Sequence, residues 1–463
     1  MESELQPVFD EERHLDGGPR AVYDPLLEAL EGVDLVALQK SMAERLRDLG
    51  VTFGSRPFVV DPVPRLITAS EWRRIEVGLV QRTRALNRFL LDAYGPQRAV
   101  AEGILSRGTV EDAEGFEAEL VGRLPPERWP AAIIGFDLVR DAEGEFLILE
   151  DNVRTPSGYA YALAAREALQ EALQGALPRE GWPVPRPVDP ATFELLAGVM
   201  RAAGRPGAPP GSVVVLTDGP DNVAYYEHAR AAERLGAILA TPDQLDVVGE
   251  RLGVRLSDGS VEPVGVVYRR TDEDRAYDER GELTDVAAVL LPAWLAGNLG
   301  LVNAFGNGLA DDKLVHGHVE DFIRFYLEEE PLLRSVPTSH VASEPEVTIA
   351  NLAQLVVKPR HGHGGKGVVI GPHAQAEDLE HLAQELARRP EGYISQPLIT
   401  LSRVPTVIDG QLRPRHVDLR PFAFAGERVS LMPGGLSRVA FDPGALVVNS
   451  SQNGGGKDTW VVD

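Results

Sequence analysis

Residues 136 to 158 read FDLVRDAEGEFLILEDNVRTPSG, and this stretch restricts the fold more than any other. Apolar residues on either side of Asp141-Ala142-Glu143-Gly144 predict two antiparallel strands joined by a turn. With the turn centred near residue 143, Asp137 on the first strand lies nearly opposite Glu150 on the second. The two-residue period of a strand then puts Glu150 and Asn152 on one face. Like charges directly across a sheet are destabilising. Two carboxylates and an amide oxygen converging in this way are expected to hold a cation, and hard oxygen donors beside phosphates suit Mg²⁺. The alternative is a solvated acidic hairpin end.

A second hairpin carries the opposite charge. In LVVKPRHGHGGKGVVIG, two apolar strands enclose Pro359 to Lys366, with glycines at 362, 364, 365 and 367. No Ser or Thr follows a GxxxxGK spacing, which excludes a Walker A loop. Glycines allow positive φ and close backbone approach, so consecutive N–H groups can fold over a phosphate chain while Lys358, at the end of its strand, points at it. A flexible surface hairpin has the same composition. His361 and His363 flank Gly362 without neighbouring carboxylates and read as loop or phosphate contacts rather than metal ligands. His316 and His318 have no histidine at i, i+4 and read as unremarkable, and no GxSxG elbow marks a serine nucleophile.

Composition narrows the partners. Lys and Arg number 46 against 70 Asp and Glu, a formal charge of −24, which argues against nucleic acid as the main partner. The absence of Cys excludes disulfides, thiolate zinc sites and a cysteine nucleophile. There is no apolar run of about 18 residues and no signal-peptide core at the N-terminus, so a cytoplasmic protein with no membrane association is expected.

Punctuation divides the chain. Residues 1–125 read as a mostly helical extension, its clearest helix running from Ser70 as N-cap to Gly95-Pro96, with Trp72, Ile75, Leu79, Leu86, Phe89 and Leu90 on one side. The hairpin block spans 126–190 and ends in the proline-rich GWPVPRPVDP. Residues 200–302 alternate strand, loop and helix, as in SVVVLTDGPDNVAYYEHARAAERLGAILA, and predict an open Rossmann-like sheet. Ligands bind outside the carboxyl ends of such strands, so Thr217 to Asn222 and the Arg269-Arg270 pair are expected to line one cleft. Residues 303–463 carry the glycine-rich loop.

FDLVRDAEGEFLILEDNVRTP resembles the metal-binding hairpin of ATP-grasp ligases, and LVVKPRHGHGGKGVVIG resembles their phosphate-covering loop. In those enzymes the loop precedes the hairpin, whereas here the order is reversed. With YISQPLI, RHVDLRPFAF, GGLSRVA and NSSQNGGGKDTW following the loop, the sequence is identified as resembling the circularly permuted ATP-grasp family, type 2, over about residues 20 to 463. The fold implied is α/β, α+β in parts: a permuted ATP-grasp with a Rossmann-like pre-ATP-grasp domain and an N-terminal helical extension.

The resemblance also implies roles. Asp137, Glu150 and Asn152 match the Mg²⁺ ligands, and Arg154 would face the phosphates. Lys313, Lys358, the loop residues His363, Gly364, Gly365, Lys366 and Gly367, and Gln396 with Leu398 match the ATP site, although Gln396 stands where many family members carry Glu. Arg420 matches an arginine on the transferring phosphoryl group, while Arg438 and Asn449 resemble the residues that complete the site in peptide-forming members. The implied activity is an ADP-forming ligase that uses ATP and Mg²⁺ to join a small-molecule or peptide carboxylate to an amine, with Arg269-Arg270 available for a second substrate carboxylate. Pathway partners of transglutaminase-like and helical types go with the family. An ATP-grasp phosphotransferase and a non-catalytic nucleotide-binding scaffold are the alternatives.

Overall fold

A computed structural model of the chain describes residues 8–14, 16–125, 129–176, 183–205, 207, 211–278, 280–362, 367–442 and 454–463. In chain order, the elements that matter for the site begin with strand β1 (Val60–Thr68) and helix α1 (Ala69–Ala93). The acidic hairpin follows as β2 (Ile133–Arg140) and β3 (Phe146–Asn152), with helix α2 (Tyr159–Ala176) after it. Strands β4 (Ser212–Thr217), β5 (Val261–Arg270) and β6 (Gly300–Val302) come next, then the short helix α3 (Lys313–His316). The glycine-rich hairpin is β7 (Leu355–Pro359) and β8 (Val369–Ile370), followed by β9 (Tyr393–Pro397). The chain closes with β10 (Gln411–Arg420), β11 (Phe422–Ala425), β12 (Leu436–Ala440) and β13 (Gly454–Val462).

Among the described residues these strands build three substantial sheets. The largest has ten strands; its central path runs from the 334–335 strand through β3, β2, β10, β12 and β13 to β1. The acidic hairpin and the C-terminal strands, far apart in sequence, therefore share one sheet. β11 joins it by pairing with β2, Phe422 opposite Gly135. Strand alternation divides β11 between two cores. Phe422 and Phe424 pack with Tyr159 of α2, their ring centroids 5.8 and 6.0 Å from it in edge-on geometry, while Ala423 turns to the core that holds Phe89 and Leu90 of α1.

A second sheet has parallel pairings of β4 with β5 and of β5 with β6, and the 238–240 strand runs parallel to β4. This is the Rossmann-like pattern expected from the alternating sequence. The third sheet has four strands in the order 339–340, β9, β7, β8, and places the glycine-rich loop between Pro359 and Val369.

The N-terminal 125 residues hold a strand as well as helices. β1 runs parallel to β13, with Trp460 opposite Leu66, and forms the edge of the largest sheet. Helix α1 starts two residues before Ser70 would set it, because Thr68 is the N-cap. The Thr68 hydroxyl accepts the Glu71 N–H at 3.2 Å, and Glu71 accepts the Thr68 N–H at 3.0 Å. This reciprocal capping box satisfies two amides that the helix itself cannot. Trp72, Ile75, Leu79, Leu86, Phe89 and Leu90 are all buried, as their spacing predicts. No helix among the described residues is long and apolar enough to cross a membrane.

Candidate active site

The acidic hairpin has the expected register. Asp137 pairs directly with Glu150, and Gly135 with Asn152. At the very next residue of β2 the register shifts: Leu138 pairs with Ile148, leaving Leu149 as an extra residue on β3. Such a bulge bends the strand and re-aims the side chains next to it. Asp137, Glu150 and Asn152 all line one cavity between the largest sheet and the four-stranded sheet. The same cavity is lined by Lys313 from α3, Lys358 from β7, Gln396 from β9, Leu398 just beyond it, Arg420 from β10 and Arg438 from β12.

At one end the charges form a compact set. Arg420 grips Asp137 with Nε at 2.6 Å and Nη2 at 2.8 Å, and Arg438 adds Nη2 to Oδ2 of Asp137 at 2.8 Å. Arg438 is held in turn by Asp418, its cross-strand partner on β10, through Nε at 3.0 Å to both carboxylate oxygens. Burial alone pushes the Asp137 carboxyl up, but the two guanidiniums override it and hold the group far below the usual carboxylate range. Asp418 faces Arg438 and also the Asp137 charge, so burial prevails and pushes it up.

At the other end stand the two lysines. Lys358 Nζ is 3.4 Å from Oε1 of Glu150, and Lys313 donates to the carbonyl of Gly362 at 2.7 Å. Burial pushes Glu150 up, yet Lys358 and then Lys313 bring it below its ordinary value. Helix α3 is fixed by Asp312, which caps it by accepting the N–H groups of Leu314 and Val315 and also binds Arg360 Nε at 2.8 Å. One carboxylate thus ties the lysine-bearing helix to the end of the lysine-bearing strand. One amide nitrogen of Asn152 is buried with no hydrogen-bond partner among the described residues.

Several other residues of interest lie elsewhere. Arg154 does not line the cavity; both Nε and Nη2 are 2.5 Å from the Asp274 carboxylate. Gly367 turns the chain at φ 75°, and a Cβ there would fall 2.8 Å from Cγ of Pro359, so its role at the loop base is conformational. His363, Gly364, Gly365, Lys366 and Asn449 lie outside the described residues.

The expectation that Arg269 and Arg270 receive a substrate carboxylate is corrected. Arg269 donates to the carbonyls of Asn303, Asp274 and Ala304 at 2.7–3.0 Å. Arg270 donates to the Pro156 carbonyl at 2.8 Å, the Ser157 hydroxyl at 2.5 Å and Glu227 at 3.1 Å. Both are buried, and neither lines the cavity.

His316 does line the cavity and, like Asp418, is a residue that sequence reasoning missed. Its Nδ1 lies 2.7 Å from Asp151, which Arg82 of α1 grips at 2.6 Å through both Nε and Nη2. Its position one turn after Lys313 was the available signal, since residues three apart share a helix face.

A carboxylate hairpin facing a lysine-bearing glycine hairpin across two sheets defines an ATP-grasp fold, here with the hairpin order permuted. The chain belongs to the circularly permuted ATP-grasp type 2 family, whose sequence model matches residues 64–440. It is 40% identical to a functionally uncharacterised protein of Synechocystis sp., over 98% of this chain and 97% of that one. It is 41% identical to a Frankia alni protein provisionally named glutamate–cysteine ligase 2-3, again over 98% of this chain but only 54% of that longer protein. Among solved structures, a glutathione synthetase-like effector from Globodera pallida in its apo form shares the fold, with a TM-score of 0.56 and 14% identity over 92% of this chain and 97% of that one.

Proposed function

We propose that this chain is an ATP- and Mg²⁺-dependent carboxylate–amine ligase that forms an amide or peptide-like bond and releases ADP. The observation that carries this reading is the pairing, in one cleft, of a lysine-flanked carboxylate–amide pair with a two-arginine cluster. The provisional name of the Frankia relative, glutamate–cysteine ligase, denotes a carboxylate–amine ligase and points the same way.

The donor set fits Mg²⁺. This ion takes one or two protein carboxylates and completes its octahedron with water and phosphate oxygens. Glu150 and the Oδ1 of Asn152 are hard donors on one strand face, both residues lining the cavity, and Asp137 keeps one lone pair beyond the three its arginines use. Held by these residues, the ion would supply positive charge that offsets the charge of the phosphates.

The chain's own residues account for the rest. Lys358 and Lys313 would neutralise the phosphate chain, while Arg420 and Arg438 stabilise charge on the phosphoryl group as it moves. A substrate carboxylate oxygen forms a bond to the γ-phosphorus as the bridging oxygen leaves with ADP. The amine nitrogen then attacks the acyl carbon, phosphate departs and the nitrogen loses its proton. No protein nucleophile is required.

Screening carboxylates and amines for stimulated ADP release, with hydroxylamine added as a trap, tests this proposal. A hydroxamate that the native amine suppresses by competition is expected. A stable phosphorylated product with neither hydroxamate nor amide would overturn the ligase reading in favour of phosphotransfer. Glu150→Gln is expected to keep the fold and abolish Mg²⁺-dependent ADP release, checked by circular dichroism alongside the assay; unchanged release would mean that the acidic hairpin is merely solvated.

A further inference from the structure

His316 is 4% exposed, lines the cleft, and has no hydrogen-bond partner for Nε2 among the described residues. A buried ring nitrogen without a partner incurs a desolvation penalty. Its other nitrogen is committed: Nδ1 lies 2.7 Å from the Asp151 carboxylate and 3.1 Å from Arg82 Nη2, and the shorter contact, to a group that can only accept, assigns the proton to Nδ1. Arg82 neutralises Asp151 through two hydrogen bonds and so fixes the ring's orientation. In the neutral ring Nε2 then holds a lone pair that none of the described residues meets.

The position of the ring in the cleft indicates what it meets. Lys313, one turn earlier, reaches the glycine-rich loop at Gly362. On the other side, a Cβ on Gly317 would lie 3.5 Å from Cβ of Thr338, whose hydroxyl accepts from Gln396 Nε2 at 2.9 Å. The segment that carries His316 thus has Lys313 at the loop and Gly317 against Thr338, the partner of Gln396. Val356, Ile370, Leu398 and Ile399 give this cavity apolar walls suited to a flat base, whereas the arginines are gathered around Asp137 and Asp418. Pockets of this kind fix orientation with a few polar groups among apolar walls.

We infer that His316 contacts the bound nucleotide directly, its Nε2 accepting a hydrogen bond from the nucleoside, and that Asp151 and Arg82 are positioning residues for that contact. The inference rests on the nucleotide reading of the cleft. The donor on the ligand is either the exocyclic amine of adenine or a ribose hydroxyl, two sources of the same chemistry.

Calorimetric binding of Mg·ADP, Mg·IDP and Mg·2′-deoxyADP separates them, because IDP lacks the amine and 2′-deoxyADP lacks the 2′-hydroxyl. Wild type is expected to prefer ADP over one of these analogues by about threefold to tenfold, the range of one hydrogen bond between neutral groups. His316→Asn, which keeps a nitrogen for Asp151 but lacks Nε2, should lose that preference, and His316→Gln, which restores a polar group there, should recover part of it. A wild type indifferent to both analogues, or an Asn variant that keeps the preference or weakens all three ligands equally, overturns the inference. In the wild type, the ¹⁵N shift of Nε2, assigned by its loss in His316→Gln, should move on adding Mg·ADP, and no movement likewise overturns it. A wild type that binds no Mg·ADP contradicts the nucleotide reading itself, and the inference with it.

Discussion

Two arginine pairs near the ends of strands have opposite situations. Arg269 and Arg270, adjacent on β5, spend their donors mainly on backbone carbonyls, and Arg270 also meets the Glu227 carboxylate. Arg420 and Arg438, on β10 and β12, meet two carboxylates, Asp137 and Asp418, at the wall of a cleft. Glu227 also accepts the N–H groups of Gly158 and Ala160 at 2.9 Å, so Arg270 and Glu227 together clamp the 156–160 turn to the Rossmann-like sheet. The comparison teaches that the partner decides what a buried guanidinium does. Carbonyl partners fix it in place as a brace, whereas a carboxylate-held pair at a cleft can turn its remaining donors to an anion.

The largest expected effect breaks the brace. Arg270→Ala leaves Glu227 buried without its cation, and such losses cost about 3–5 kcal/mol. Urea unfolding should show this, and a loss below about 1 kcal/mol would mean that the clamp is dispensable. Arg420→Ala should leave folding nearly intact, because Arg438 still faces Asp137. Turnover should nonetheless fall about 100- to 1,000-fold, as when one donor to a developing charge is removed. Equal losses of stability and turnover in both variants would erase the distinction.

Acid sharpens the comparison. The Asp137 carboxyl is depressed on folding, so the unfolded state binds more protons in the acid range. Its contribution is present above the ordinary value of about 3.9 and is lost as pH falls through the lower folded value. Glu227 goes the other way: burial outweighs Arg270 and raises it, so lowering the pH favours its folded form. Asp137→Asn should therefore flatten the acid limb of stability against pH, whereas Glu227→Gln should steepen it; chemical denaturation between about pH 5 and 2 measures both. The smallest effect is expected for Arg154→Ala. Its side chain is 35% exposed and bound to Asp274 away from the cleft, so stability should change by about 1 kcal/mol or less and turnover hardly at all. A 100-fold loss of turnover would instead return Arg154 to the phosphates.

Much of this molecule was legible where chemistry is local in sequence. The Asp137–Glu150 register follows from a turn and a two-residue period, both visible in one short stretch. The reversed order of the two hairpins was equally readable, and it led to the permuted fold. The start of α1 was visible too, since Thr68 and Glu71 have capping-box spacing, but Ser70 offered a competing cap. What stayed hidden depends on contacts that span the chain. His316 looked ordinary because Asp151 and Arg82, 165 and 234 residues away, are what orient it. Arg269 and Arg270 looked available because the sequence shows their charge and not the carbonyls of residues 156, 303 and 304 that meet them. The acidity of Asp137 likewise comes from arginines 283 and 301 positions away.

In the proposed reaction a carboxylate is activated through its own oxygen before an amine displaces phosphate. Isotope transfer tests this most directly. With a turnover-supporting carboxylate labelled with ¹⁸O, the inorganic phosphate released should carry one ¹⁸O from that carboxylate, read by mass spectrometry or ³¹P NMR. Unlabelled phosphate, or label retained entirely in a phosphorylated product, would contradict it.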